Sequence, residues 1–338
     1  VRVGGRRGDA GLIPSAADPG PIRIAVSSCL LGEPVRYDGG HKREEWVARV
    51  LARRADLVPI CPEAGAGLGV PRPPIRLVGD PRRPRAVGVE DPACDVTPAL
   101  NAFARAAARA LGEVDGYILK AGSPSCGPGA VPVFGPRGGR RPGVGLHALA
   151  IRRLWPLLPF TDETALRNAA GREHFFERVR AHRRWRRLLA GRVTLAALAD
   201  FHAQHELTLT AHAPAARRRL ARLLAEGGPA RAVARRYGAV FMAALARPAT
   251  RSGHARALRL AVRRVAAGHG GDADARLSAA VEAFRRGRAP RAAALTQLRR
   301  HLRRHPDPWL AGQVYLEPVP AWVARDPVVP AAARRRGR

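Results

Sequence analysis

The chain has 338 residues, a formal net charge of +32 and 46% apolar residues. At ~100–200 residues per domain this length suggests two domains, and the apolar content excludes disorder throughout. Four cysteines are too few for a disulfide scaffold, and no apolar run of about 18 residues is available to cross a membrane.

Residues 1–21 are rich in Gly, Pro and Arg and lack the apolar stretch of a secretory signal. They read as a flexible lead-in, and the expectation is a cytoplasmic protein with reduced thiols. Ile22-Arg23-Ile24-Ala25-Val26 predicts a buried strand. Glu44 to Arg54 has helical spacing, with Trp46, Val47, Val50 and Leu51 on one side. Leu57 to Ile60 reads as a second strand, Ala99 to Leu111 as an Ala-rich helix, and Gly116 to Leu119 as a third strand. Gly65 to Pro84 is so rich in Gly and Pro that it reads as an ordered loop. Strands separated by helices imply an α/β domain, a parallel sheet with flanking helices. Beyond residue 160 the pattern changes. Stretches from Thr164, Thr194, Ala215, Ala230, Ser252, Ala273 and Ala289 show apolar spacing of three and four, which predicts about seven helices in an all-α C-terminal domain. The expected division is therefore 22–160, 161–325 and a disordered basic tail, 326–338.

Three cysteines share a context, each following a predicted strand: Cys29, Cys61 and Cys126. In a parallel sheet the strand carboxyl ends lie on one edge, so the three would converge there. Thiolates favour iron–sulfur clusters, zinc or copper(I). Closed zinc sites usually show paired C-x-x-C spacing, which this chain lacks. Ordinary buried cysteines are the alternative. Glu63 lies two residues after Cys61, and Ser123 three before Cys126. A carboxylate and a hydroxyl beside a Lewis-acidic iron could activate water, although a solvated loop acid and a turn-forming serine would leave the same trace. Cys94 has a different context, ahead of a helix.

The motifs Ser28-Cys29-Leu30-Leu31-Gly32, Val35-Arg36-Tyr37-Asp38-Gly39, Cys61-Pro62-Glu63, Gly69-Val70-Pro71-Arg72, Asp95-Val96-Thr97 and Ser123-Pro124-Ser125-Cys126-Gly127 occur in this order. Together they resemble the thiouracil desulfidase family over about residues 22–160. From about Glu173 to Val323 the chain resembles a second family, the YbgA-like domain. The stretches that carry this likeness are Phe201 to His205, Thr210 to His212, Tyr237, His254, Phe284 to Gly287 and Gln313 to Pro318. Fusions of the two resemble enzymes that remove sulfur from 2-thiouridine in tRNA. The resemblance implies a 4Fe–4S cluster held by Cys29, Cys61 and Cys126 with one open iron. It also implies Glu63 and Ser123 as the catalytic acid and hydroxyl, and Tyr37 and Asp38 at the substrate. Gly122 departs from relatives, which often carry Arg there.

The charge is uneven: residues 1–160 carry a net +9 and residues 161–338 a net +23. Of 59 basic residues only Lys42 and Lys120 are lysine, and this Arg and Ala excess partly reflects a GC-rich genome. Arg183, Arg184, Arg186 and Arg187 fall on one predicted helix and are candidates for phosphate contact, a solvated basic surface being the alternative. His205 and His212 share a helical face, where histidines hydrogen-bonded within a bundle are commoner than metal ligands. The expected function is non-redox desulfuration of 2-thiouridine in tRNA. Free 2-thiouracil is the close variant. A nucleic-acid-binding protein with a structural or redox-sensing cluster, related to DNA repair, and a zinc-stabilised RNA-binding module are the rivals.

Overall fold

The computed structural model describes residues 21–136, 138–269, 272–324 and 326. The expected lead-in and basic tail fall outside these residues, but for Pro21 and Asp326. The chain forms two compact units. One spans residues 20–187 and takes in the chain again from 319; the other spans 188–318.

The first unit is built on four parallel strands. β1 (Ile22–Ser27), β2 (Ala55–Ile60), β5 (Gly116–Leu119) and β8 (Phe160–Asp162) stand in the order β2-β1-β5-β8. Alternation along the strands fills two cores. Ile24, Val26 and Ile118 pack with Trp46, Val47, Phe175 and Val179. Ala25, Tyr117 and Leu119, one residue out of phase, pack with Leu111, Ala148 and Ile151. A sheet covered on both faces reads as near-continuous apolar runs, which is why β1 and β5 are legible in the sequence. The second core draws on α2 (Thr97–Leu111) and α3 (Leu146–Leu154). The first draws on α4 (Ala169–Ala190), which approaches so closely that a Cβ at Gly116 would meet Val179 at 2.8 Å.

Expectation and structure differ at two places. Residues 44–54 form a short, irregular turn of helix, regular only over Trp46–Val50 and Leu51–Arg53. The expected loop 65–84 opens with the four-residue α1 (Pro62–Gly65) and then enters a second sheet. There β3 (Ile75–Asp80), β4 (Arg83–Gly88), β6 (Val131–Phe134) and β7 (Arg140–Gly143) run in the order β4-β3-β6-β7. β4 is an edge strand, the position where a residue such as Pro84 is tolerated without breaking a ladder.

The second unit is helical. It comprises α5 (Leu195–Gln204), α6 (Glu206–His212), α7 (Pro214–Glu226), α8 (Ala230–Leu245), α9 (Arg251–His269), α10 (Asp272–Arg285), α11 (Arg291–Arg304) and the short α12 (Pro308–Ala311). The stretch from Thr194 divides in two at His205. Thr194 caps α5 by accepting the Ala197 N–H at 3.1 Å. Buried Gln313 satisfies the break between α5 and α6: its Oε1 accepts the Leu207 N–H at 3.0 Å and its Nε2 donates to Ala203 O at 2.8 Å. His205 donates from Nδ1 to Phe201 O at 2.7 Å, and His212 from Nδ1 to Arg247 O at 2.9 Å. Both histidines thus serve backbone carbonyls within the bundle. After the helical unit the chain returns to the sheet unit through α13 (Ala321–Ala324). Buried Arg172 donates to Val323 O, Ala324 O and Asp326 there and lies over the Trp46 ring.

His147 and His182 are buried in the sheet unit. Burial holds each down to about 4, and for His182 the charges of Arg186 and Arg178 add to the effect. An unfolded histidine titrates near ~6.5, so between these values the unfolded chain binds protons that the fold refuses. Stability is therefore full above ~6.5 and falls as pH drops towards 4, by on the order of 3 kcal/mol per histidine. Thermal unfolding followed from pH 7 to pH 5 should show a steady fall in Tm, and His147→Gln should flatten it.

Candidate active site

The carboxyl ends of the parallel strands meet at one edge. Ser28 to Leu30 turn away directly after β1, Cys61 follows β2, Lys120 follows β5 and Glu163 follows β8. A cavity of about 360 Å³ opens there, lined by Cys29, Cys61, Cys126, Glu63, Ser123 and Tyr37 among others. Its volume falls at the lower end of the ~300–1,000 Å³ common for small-molecule sites. Six of the residues predicted from sequence thus share one cavity. Asp38 does not line it. Its carboxylate instead holds the neighbouring loop, accepting the Gly40 N–H at 3.0 Å and pairing with Arg36 at 3.4 Å. Cys94 is exposed elsewhere, in a turn whose carbonyl accepts the Gly88 N–H.

Each thiol is held by its local backbone. The Cys29 carbonyl accepts the Lys42 N–H at 3.0 Å, which ties the 35–45 loop to the end of β1. The Cys61 thiol lies 3.6 Å from Val35 O. Cys126 sits in a tight turn organised by Ser123, whose Oγ accepts the N–H groups of Ser125 at 3.2 Å and Cys126 at 3.0 Å. Glycines are needed around this turn: a Cβ at Gly145 would stand 2.6 Å from Ser125 O and 2.7 Å from Gly127 N. A hydroxyl has one proton and two lone pairs. With both lone pairs occupied, Ser123 can only donate.

Glu63 is anchored on one side. Arg72, buried, donates from Nε to Oε2 at 2.9 Å, and its Nη2 stands 2.8 Å from the same oxygen as an ion pair. The rest of the guanidinium is fixed by Gly69 O at 2.8 Å and Val35 O at 3.0 Å. Among the described residues Oε1 meets no donor. The carboxylate is thus oriented and keeps one open oxygen. Tyr37 is 42% exposed at the cavity and carries the Arg36 guanidinium over its ring at 5.3 Å. Lys120 Nζ lies 2.5 Å from Glu163 Oε1 and 2.7 Å from Ala121 O. Arg72, Lys120 and Glu163 were not among the residues singled out from sequence. Arg72 lay within a motif, but its partner nine residues earlier could not be read from spacing.

Cys29 and Cys126 resist ionisation as they stand. Burial, with Cys61 beside it, pushes Cys29 up to about 11, against the pull of Lys120 and Arg36. Burial pushes Cys126 up further, and Glu63, Cys29 and Cys61 add to it. A thiol must lose its proton to bind a metal, so a cationic group bound here would draw those protons off. Among the described residues no three His, Cys, Asp or Glu side chains are grouped to hold a single metal ion. Three thiols spread around one cavity, with Arg36, Lys42, Arg72 and Lys120 among its lining, fit a polynuclear group such as an iron–sulfur cluster, whose cationic core and thiolate ligands together carry net negative charge.

The four arginines singled out for nucleic acid lie on α4, in the sheet unit. Arg183 is buried, and its Nη1 is 3.5 Å from Asp115; Arg186 pairs with Asp115 at 2.9 Å and with Glu113. Arg184 and Arg187 are half-buried on the same helix. Arg183 and Arg186 are thus engaged within the fold.

Fold and site define a class: an α/β domain with a three-thiol pocket at the carboxyl edge of a parallel sheet. The chain belongs to the 2-thiouracil desulfurase family, which matches residues 24–163. Residues 207–320 match a second family, described as a protein of unknown function, DUF1722. The chain is similar to the uncharacterized protein YbbK of Bacillus subtilis (strain 168), with 35% identity over 117 residues, covering 32% of this chain and 75% of that protein. It is also similar to a solved [4Fe-4S]-dependent thiouracil desulfidase, TudS, at 33% identity over 43% of this chain and 93% of that one, with a TM-score of 0.35. Among the described residues no helix is long and apolar enough to cross a membrane.

Gly145→Ala should force the Ser123–Gly127 turn away from α3. The expected cost is about 1–3 kcal/mol, as for other overpacked sites, with faster alkylation of Cys126 read by mass spectrometry. Gly139→Ala, where a Cβ meets nothing within 4 Å, should change neither.

Proposed function

We propose that the chain desulfurates 2-thiouracil units, with 2-thiouridine in tRNA as the substrate, giving uridine and hydrosulfide without net redox change. The observation that carries this reading is the meeting, in one cavity of a 2-thiouracil desulfurase family member, of three thiols, a carboxylate with one open oxygen and a hydroxyl that can only donate. Cys29, Cys61 and Cys126 would hold a 4Fe–4S cluster, which supplies a soft Lewis acid suited to a thiocarbonyl sulfur. Thiols of this kind suit a reducing compartment such as the cytoplasm.

The chain's own residues account for the remaining chemistry. Glu63 Oε1 takes a proton from water as its oxygen adds to the C=S carbon. Arg72 keeps that carboxylate in one orientation, so that no reorganisation is needed at the moment of attack. Ser123 donates its proton to the base or to the developing anion. Water's oxygen ends on the base as the carbonyl, the C–S bond breaks, and sulfur departs as hydrosulfide. Tyr37, exposed at the mouth and backed by Arg36, offers a face for stacking a pyrimidine.

The RNA part of the reading rests on charge. Residues 161–338 carry a net +23, and Arg218, Arg219, Arg222, Arg300, Arg303 and Arg304 of the helical unit are exposed. With Arg183 and Arg186 paired to acids in the fold, these exposed side chains join Arg184 and Arg187 as candidates for phosphate. Binding of thiolated tRNA should weaken with salt, by about −0.7 in log–log slope for each single-strand phosphate neutralised. A flat response would remove RNA and leave the free thiobase.

Iron and acid-labile sulfide measured on anaerobically prepared protein test the cofactor. Cys29→Ala should lose both together with sulfide release. Glu63→Gln should keep the cluster and lose at least ~100-fold in turnover, within the usual range for a general base. Ser123→Ala should lose about 3 kcal/mol of barrier lowering, by analogy with a lost oxyanion donor. A near-normal rate in Glu63→Gln would sink the assignment of the base.

A further inference from the structure

Lysine is almost absent from this chain: 57 of its 59 basic residues are arginine. The two exceptions, Lys42 and Lys120, are far apart in sequence, yet both line the same cavity. No basic residue outside that cavity is lysine. A composition that favours arginine throughout leaves an ammonium only where a guanidinium will not serve. The cavity also contains Arg36 and Arg72, so positive charge alone does not account for the two lysines.

The surroundings of Lys120 show what an ammonium does that a guanidinium cannot. Two of its three N–H groups are engaged, one by Glu163 Oε1 at 2.5 Å and one by Ala121 O at 2.7 Å. Glu163 is itself buried, and its other oxygen accepts the Ala121 N–H at 2.8 Å. The Lys120 backbone N–H donates to Ser27 Oγ at 3.0 Å. The Nζ position is therefore fixed from both ends, at the cavity that also contains Cys29, Glu63 and Ser123. An ammonium is a compact point charge with tetrahedral donors, so two anchors still leave a third N–H. A planar guanidinium facing Glu163 would instead lay its fork along the carboxylate.

We propose that Lys120 is a further catalytic residue, whose third N–H donates to the N–C=S unit of the thiobase as negative charge gathers there during addition of water. Lys42 is the second ammonium of the pocket and contacts the bound base at its mouth. Lys120 transfers no proton in this role; it is a fixed donor, complementary to Glu63, which accepts. The proposal rests on the desulfuration reading above.

The test uses the full chain. Lys120→Arg keeps the charge and should lose ~100-fold or more in kcat, the range seen when a fixed donor to a developing anion is removed, with iron and sulfide per chain unchanged. Uracil, the product base, titrated calorimetrically against cluster-free protein, should bind about tenfold more weakly to Lys120→Arg, as expected for a lost charged hydrogen bond. Glu163→Gln, which retains an acceptor for Nζ, guards against misfolding and should cost kcat less than Lys120→Arg does. Lys42→Arg should raise KM with little change in kcat. Wild-type turnover and uracil affinity in Lys120→Arg would overturn the proposal. So would loss of the cluster in that variant, which would make Lys120 a cluster-supporting residue. Cluster-loaded wild-type protein that releases no sulfide from any thiobase would instead sink the desulfuration reading itself.

Discussion

Because β1, β2, β5 and β8 run parallel, each delivers its carboxyl end to one edge of the sheet. Everything chemical in the molecule depends on that delivery. Cys29, Cys61, Lys120 and Glu163 are each within two residues of a strand end, although up to 134 positions separate them in sequence. Cys126 reaches the same edge by a turn built on Ser123 and pressed against Gly145. A parallel sheet buried on both faces is held by two independent cores. The edge is therefore stiff, and a stiff edge fixes where each thiol stands around the cavity.

Polar groups around the cavity are oriented in pairs that leave one valence over. Arg72 takes one oxygen of Glu63 and leaves the other. The turn takes both lone pairs of Ser123 and leaves its proton. Glu163 and Ala121 take two hydrogens of Lys120 and leave the third. The result is one acceptor and two donors with little freedom to reorient, a preorganised polar frame around a soft-metal pocket.

Much of this was legible in the sequence. The apolar runs of β1 and β5 fixed a doubly covered sheet, and the recurrence of cysteine after three strands placed the thiols at its edge. What stayed hidden has physical causes. β3 and β4 are as long as β1, at six residues each, but Gly79 and Pro84 disguise them; as an edge strand β4 can carry a proline that a central strand would not tolerate. The periodicity of α4 marks it as amphipathic and says nothing about what its apolar face meets, which is the sheet, through Gly116. A sequence shows the charge of Arg183 and Arg186 and not the buried Asp115 that both of them face. The Arg72–Glu63 clamp depends on a loop conformation that no periodicity encodes.

The return of the chain through residues 319–326 makes the helical unit an insertion in the sheet unit, not an appendage to it. Trp322 stacks on Trp46 and meets Phe176 edge-on, and buried Arg172 donates to Val323 O of α13 and to Asp326. During synthesis the sheet and its thiols emerge from the ribosome well before this last patch of aromatic surface is covered. The pocket's scaffold must therefore wait, with one hydrophobic flank open and a guanidinium short of two of its carbonyls, until the whole helical unit has been made. A chain stopped at Arg187 would contain every residue of the cavity and still lack the segment that closes its core.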